Sequence, residues 1–199
     1  MEENLANFSK GDEYLSKIVA KVVFGGDGGV GKTTLIQRYL TGEFIDTTKM
    51  TIGVGFHIHQ LNYQGREISL SVWDCGGQEQ FKTMGVFENY FRGAVVAILM
   101  FDLTRANTIK GLDTWYDFID NKSKTAIILV GGKSDLPRDE TVDSMVVENL
   151  IDKYNAIRYI ETSSASGLGV SLVFNEIARI SVDRMTKRKE ATLKQQTKK

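Results

Sequence analysis

Apolar positions along the chain fall into short continuous runs separated by stretches with helical spacing. Ile18–Gly25 is almost wholly apolar and β-branched, the pattern of a strand buried on both faces. Residues 32–40 place Leu35, Ile36, Tyr39 and Leu40 on one helical stripe, and the polar residues 41–51 predict a loop. Val54–Tyr63 and residues 67–74 alternate apolar and polar around Gln64-Gly65-Arg66, which predicts a β-hairpin. Residues 94–102 form a second continuous apolar strand. Residues 107–121 read as a helix with Leu112, Trp115, Phe118 and Ile119 inward. Residues 125–131 predict a strand, 141–154 a helix and 156–162 a strand. Residues 170–186 predict a final helix carrying Leu172, Val173, Ile177 and Ile180. Strands alternating with helices predict an α/β fold in three layers, with a mostly parallel sheet covered on both faces. No internal repeat is present.

Composition narrows the picture. The chain has 199 residues, enough for one domain plus tails, and its 42% hydrophobic share supports a packed core. The net charge is zero, which gives no general signal for nucleic acid. The single cysteine, Cys75, excludes an internal disulfide and fits a reducing, cytoplasmic compartment. No apolar run reaches the length of a membrane span. Neither a signal peptide nor a myristoylation or prenylation signature is present. The organisation expected is a polar segment over residues 1–16, a domain over 17–184 and a basic tail over 185–199. From Arg184 onward seven Lys or Arg face one acid, Glu190, so this stretch carries +6 and the rest of the neutral chain −6. Two readings of the tail stand: a solvated end, or weak attraction to an anionic membrane surface that would place the protein at the membrane periphery.

The chemistry starts at Gly26-Asp27-Gly28-Gly29-Val30-Gly31-Lys32-Thr33, between a buried strand and a helix. A phosphate chain requires positive potential and many close N–H donors. Glycines let the backbone approach the oxygens, the helix N-terminus adds its dipole, Lys32 reaches the β and γ phosphates, and the Thr33 hydroxyl can ligate Mg²⁺. This spacing in this context marks a triphosphate site rather than a mere glycine-rich turn. By itself it does not choose between kinases, ATPases and GTPases.

Further segments decide. Trp73-Asp74-Cys75-Gly76-Gly77-Gln78-Glu79 ends a strand, with Asp74 placed to hold Mg²⁺, the Gly77 N–H to contact the γ phosphate and Gln78 to orient the attacking water. Thr51 offers a second hydroxyl to the metal. In Gly132-Lys133-Ser134-Asp135, Asp135 can accept from guanine N1–H and the 2-amino group, which adenine lacks. Glu161-Thr162-Ser163-Ser164-Ala165 follows the last strand and is placed to close over the base. His57 and His59 share one strand face, but two such residues make a poor metal site. Cys75 reads as a small half-buried filler.

The order of these segments resembles the Ras superfamily of small GTPases, and within it the Rab branch, through Thr51-Ile52-Gly53-Val54-Gly55-Phe56, Trp73-Asp74 and Tyr90-Phe91-Arg92-Gly93-Ala94. The resemblance spans residues 18–184. It implies a P-loop GTPase fold: a six-stranded sheet with one antiparallel strand, and about five helices. It implies GTP or GDP with Mg²⁺ as bound ligands. Asp27, Gly28, Gly29, Val30, Gly31, Lys32, Thr33, Thr34 and Gly77 would surround the phosphates. Thr33, Thr51 and Asp74 would serve the metal. Phe44 and Lys133 would lie on the two guanine faces, with Asp135 on the base edge and Ser163, Ser164 and Ala165 near the guanine carbonyl. Lys32, Thr51, Gly77 and Gln78 would act in hydrolysis. A monomer that meets effectors, exchange factors and activating proteins through its switch loops is implied, and Phe56, Trp73 and Tyr90 resemble an effector-facing aromatic triad. Core packing is the equal alternative for Trp73.

The sequence departs from that pattern in places. Gly132 replaces an asparagine that bonds the base and ties its motif to the phosphate loop, so Gly132→Asn is expected to tighten GTP binding. Gly76-Gly77 replaces alanine-glycine and resembles the Arf branch. The stretch between Phe81 and Arg92 is longer than in Rab, and Thr48 stands where Ras proteins have a nucleotide-covering tyrosine. No arginine lies in residues 43–50, so slow intrinsic hydrolysis, stimulated by an activating protein, is expected. A nucleotide-locked module that barely hydrolyses and a phosphoryl-transfer kinase are the competing classes. Gln78, Thr51 and Asp74 argue against the first, and short connections argue against the second.

Overall fold

All seven residues of one strand, Val96–Asp102, are buried, because this strand runs through the middle of a sheet covered on both faces. The computed structural model describes residues 17–45, 50–78, 87–119 and 124–196. In chain order the elements are β1 (Ile18–Gly25), α1 (Lys32–Thr41), β2 (Val54–Tyr63), β3 (Arg66–Cys75), α2 (Phe87–Phe91), β4 (Val96–Asp102), α3 (Asn107–Lys110), α4 (Leu112–Asp117), β5 (Ala126–Gly132), α5 (Ser144–Tyr154), β6 (Arg158–Thr162) and α6 (Val170–Gln196). The strand order is β2-β3-β1-β4-β5-β6. Only the β2–β3 pair is antiparallel. Its turn needs left-handed backbone at Gln64 (φ 52°) and Gly65 (φ 76°), the two-residue turn whose twist matches a hairpin. The sheet architecture is the one expected.

Two cores flank the sheet. On one face Leu35 and Ile36 of α1 and Val173, Phe174 and Ile177 of α6 pack over Val22, Phe24, Ile98 and Val130. The other face is richer in aromatics: Phe87 and Phe91 of α2 and Trp115 of α4 meet Phe118 over Val23, Leu99 and Leu129. Trp115 and Phe87 are fully buried with ring centroids 5.3 Å apart. Such rings dominate the energetics of a core.

The elements differ from those expected in four places. The helix expected over 107–121 is two short pieces meeting at Gly111, where a Cβ would run into the Asp27 carboxylate, so only glycine fits. α5 starts at Ser144, where Asp143 Oδ1 accepts from Val146 N at 2.8 Å and caps the helix. α2 was not anticipated, and most of the expected longer stretch before it falls outside the described residues. α6 runs to Gln196, ten positions past its expected end, so the basic segment continues the last helix of the domain. Residues 1–16 and Thr48 lie outside the described residues.

Candidate functional site

β1 pairs with β3 on one side and β4 on the other, so the chain leaving Gly25 emerges where the strand order diverges, the usual place for a ligand in an open α/β sheet. It turns at Gly26 (φ 148°) and Gly29 (φ 72°), and Gly31 (φ 105°) caps α1 in left-handed geometry. The open N–H groups of the first turn of α1 then face the loop interior. Lys32, 6% exposed, donates from Nζ to Gly26 O at 2.5 Å and to Asp27 O at 3.0 Å. A buried ammonium, a helix N-terminus and glycine amides together make a concavity of positive potential suited to phosphate. Trp115 Nε1 donates to Asp27 Oδ1 at 3.3 Å, anchoring the loop to the aromatic core.

The expected metal residues converge. Thr33 Oγ1 lies 2.7 Å from Thr51 Oγ1 and donates to Asp74 Oδ2 at 2.5 Å. Asp74 is 1% exposed, and its Oδ1 is buried without a hydrogen-bond partner. Burial pushes its carboxyl above the usual carboxylate range, against the Thr33 hydrogen bond and the Lys32 and His57 charges that pull it down. Two hydroxyls and a carboxylate with a spare buried oxygen are hard donors of the kind Mg²⁺ takes when phosphate supplies the rest.

Past Asp74 the chain presses onto both neighbouring loops. Gly76 N donates to Gly53 O at 2.8 Å, and a Cβ on Gly76 would stand 2.5 Å from Thr51 O and 2.8 Å from Gly53 O. A Cβ on Gly77 would overlap the Asp27–Gly28 peptide. The Gly-Gly pair is therefore required by close backbone approach, and it leads Gln78 to the rim of the phosphate loop. Cys75 beneath is buried, which pushes its thiol up to about 12 and leaves it protonated and inert at neutral pH.

The base-side segments also meet. Ser134 N donates to Thr162 O at 3.0 Å, joining Lys133 and Asp135 to the loop that carries Ser163, Ser164 and Ala165. That loop is held by Ser163 N to Leu168 O at 2.9 Å and by Ser166 N to Ser163 Oγ at 3.0 Å. Asp135 is exposed at the strand end, and Lys133 holds a left-handed φ of 63°. Thr34 is half-buried in the first turn of α1, and Phe44 is 44% exposed beyond that helix.

Three contributors escape the sequence reading. Asp102, fully buried at the end of β4, binds Lys133 Nζ at 2.7 Å and Arg105 Nε at 2.8 Å through Oδ2, and accepts from Thr104 N at 2.9 Å through Oδ1. Burial alone would raise its carboxyl, but the hydrogen bonds from Lys133, Thr104 and Arg105 outweigh it and hold the group below its usual range. An acid closing an apolar strand was the available signal. Arg105 also reaches Gly28 O at 3.4 Å, bringing a cation to the phosphate loop from β4. Met100 is the third, and it bears on what an asparagine at 132 would do. A Cβ on Gly132 would stand 2.6 Å from Met100 Cε and 2.9 Å from Val30 O, so an asparagine fits only if the Met100 side chain moves and the Val30 carbonyl gives way. Gly132→Asn alone is therefore expected to weaken nucleotide binding rather than tighten it.

On the outer surface Phe56, 50% exposed, stands edge-on to half-buried Trp73 with centroids 5.1 Å apart, and Tyr90 lies 5.5 Å beyond. Lys21 Nζ sits 4.5 Å from the Trp73 ring. His59 packs edge-on against Tyr39 at 5.1 Å.

Comparison with known proteins agrees with this geometry. The model of the Ras family matches residues 21–183. The chain is 37% identical to the Ras-related protein Rab-1D of Dictyostelium discoideum over 161 residues, covering 80% of this chain and 78% of that one. It is 34% identical to the Ras-related protein RABA5c of Arabidopsis thaliana over 174 residues, covering 85% and 77%. It is 35% identical to the Ras-related protein Rab-13 of Bos taurus over 161 residues, covering 80% and 78%. A six-stranded sheet with one antiparallel pair, a phosphate loop after β1 and a Rab-like sequence over most of its length place the chain in the Ras family as a Rab-like small GTPase, a nucleotide-dependent molecular switch.

Proposed function

We propose that this site binds GTP and GDP with Mg²⁺ and hydrolyses GTP by in-line attack of water on the γ phosphate. The observation that carries the reading is the meeting of Thr33 and Thr51 hydroxyls at a buried Asp74 whose second oxygen is unsatisfied. Bound there, Mg²⁺ would supply positive charge to the phosphate oxygens. Lys32 and the amides of residues 27–33 hold the phosphates and bear the charge that develops on them. Gln78 orients the water, and the Gly77 N–H faces the γ phosphate. Asp135 reads the guanine edge, Lys133 and Phe44 cover its faces, and Ser163, Ser164 and Ala165 close over its carbonyl. Thr51 and Gly77 lie on the loops that change with the nucleotide, so effectors, exchange factors and activating proteins meet the protein there.

Phe56, Trp73 and Tyr90 form one contiguous patch beside those loops, which suits an effector surface. The protein works as a monomer in this reading. The exposed cations of α6 add weak contact with anionic membranes. No helix among the described residues is long and apolar enough to cross a membrane.

Displacement of a fluorescent GDP tests the nucleotide assignment. GTP and GDP should compete and ATP should not, while Asp135→Asn should shift preference toward xanthosine triphosphate. Equal competition by ATP would remove the guanine reading.

A further inference from the structure

Three glycines from two separate loops converge on one methionine. A Cβ on Gly132 would stand 2.6 Å from Met100 Cε, and one on Gly31 would stand 3.5 Å from the same atom. A Cβ on Gly26 would overlap the Met100 carbonyl oxygen. Met100 itself is 1% exposed, in the central strand β4, and belongs to the core shared by α1 and α6. Its methyl thus lies between the cap of α1, where the phosphate loop ends, and the last residue of β5, which opens the base motif. Val30 O stands 2.9 Å from where the Gly132 Cβ would be, so the two loops approach more closely than any side chain at 132 allows.

We propose that Met100 is a positioning residue whose thioether methyl mechanically joins the base motif to the phosphate loop, doing by apolar packing what a polar side chain at 132 would do by hydrogen bonding. Methionine suits the task, because an unbranched, polarizable chain fills an irregular gap between two backbones. The joint makes the two halves of the nucleotide site move together: loosening the phosphate loop also loosens Lys133 and Asp135. Gly132 and Met100 are then one unit, in which the absence of one side chain matches the length of the other. Changing either alone spoils the fit, and changing both restores part of it.

The proposal rests on the reading of this site as a guanine-nucleotide site, and the experiment separates the two. The dissociation rate of fluorescent GDP is measured for the wild type, Met100→Leu, Met100→Val, Gly132→Asn and the Met100→Val/Gly132→Asn double variant, each also melted without and with excess GDP. Met100→Leu keeps β4 apolar but cannot place a methyl at the Cε position. It should release GDP about tenfold faster while its nucleotide-free melting stays near wild type. Gly132→Asn should also release GDP faster, and the double variant should release it more slowly than Gly132→Asn alone, a coupling no independent pair shows. Wild-type GDP release in Met100→Leu, or additive effects in the double variant, would overturn the joint. Failure of the wild type to bind GDP at all would instead overturn the reading of the site.

Discussion

Thr33 and Thr51 stand eighteen positions apart in sequence, yet their hydroxyl oxygens lie 2.7 Å from one another over the buried carboxylate of Asp74. One belongs to the first turn of α1 and the other to the loop before β2. This contact ties the loop before β2 to the first turn of α1.

Asp74→Asn tests that tie. It keeps the shape and removes the charge, so GDP affinity in Mg²⁺ should fall about ten- to a hundredfold, the value of a charge-assisted interaction. Chelating Mg²⁺ should weaken binding strongly in the wild type and only slightly in the variant. Calorimetric titration with and without a chelator checks this, and an undiminished Mg²⁺ effect in Asp74→Asn would remove it from the metal site.

Gln78→Leu should leave GDP and GTP affinity near wild type and slow hydrolysis about ten- to a hundredfold, since positioning of the water is lost and phosphate contacts are not. Single-turnover phosphate release is the measurement. Equal rates would take Gln78 out of the mechanism.

Gly76→Ala adds one methyl where Thr51 O and Gly53 O already stand within 2.8 Å of its Cβ position. The chain must shift, at a cost of about 1–3 kcal/mol by the usual scale of overpacking. The melting temperature should drop, and Mg²⁺-dependent tightening of GDP should shrink because Thr51 is displaced.

Asp102→Ala removes the anchor of Lys133 and Arg105. The loss should be about 2–3 kcal/mol, less than for a wholly buried pair because both cations reach solvent. The folded carboxyl lies below its unfolded value, so its contribution is present above the unfolded value near pH ~4 and fades as pH falls through the lower folded value. Melting curves across the acid range should therefore fall more steeply for wild type than for Asp102→Ala.

Much of the fold was legible because its signals are local. Continuous runs such as Ile18–Gly25 can only be central strands, and Gln64-Gly65 can only be a tight turn. The meeting of Thr33, Thr51 and Asp74 beside the glycine loop was readable because the chemistry expected of them fixes residue type and spacing. Asp102, Met100 and Arg105 were not, since each acts through a neighbour across the sheet that no spacing reveals. In the sequence Asp102 only ends an apolar run, and Met100 is one apolar residue within it. The effect expected of an asparagine at 132 depends on the same kind of neighbour, the Met100 methyl on another strand together with the Val30 carbonyl. The need for glycine at 111 is likewise set by the Asp27 carboxylate lying over it.

The long last helix has a consequence of its own. α6 begins near the loop of Ser163–Ala165 and runs back along the sheet until Arg184 Nη1 donates to Val95 O at 3.1 Å, beside the start of β4. From there it projects roughly 18 Å further, at about 1.5 Å per residue, carrying Lys187, Arg188, Lys189 and Lys194 exposed along it. Among the described residues the protein therefore has two poles: the phosphate loop, Thr51 and Gly77 at one, and a long cationic helical extension at the other. Whatever the extension leans against, the phosphate loop stays at the far end of the sheet from it.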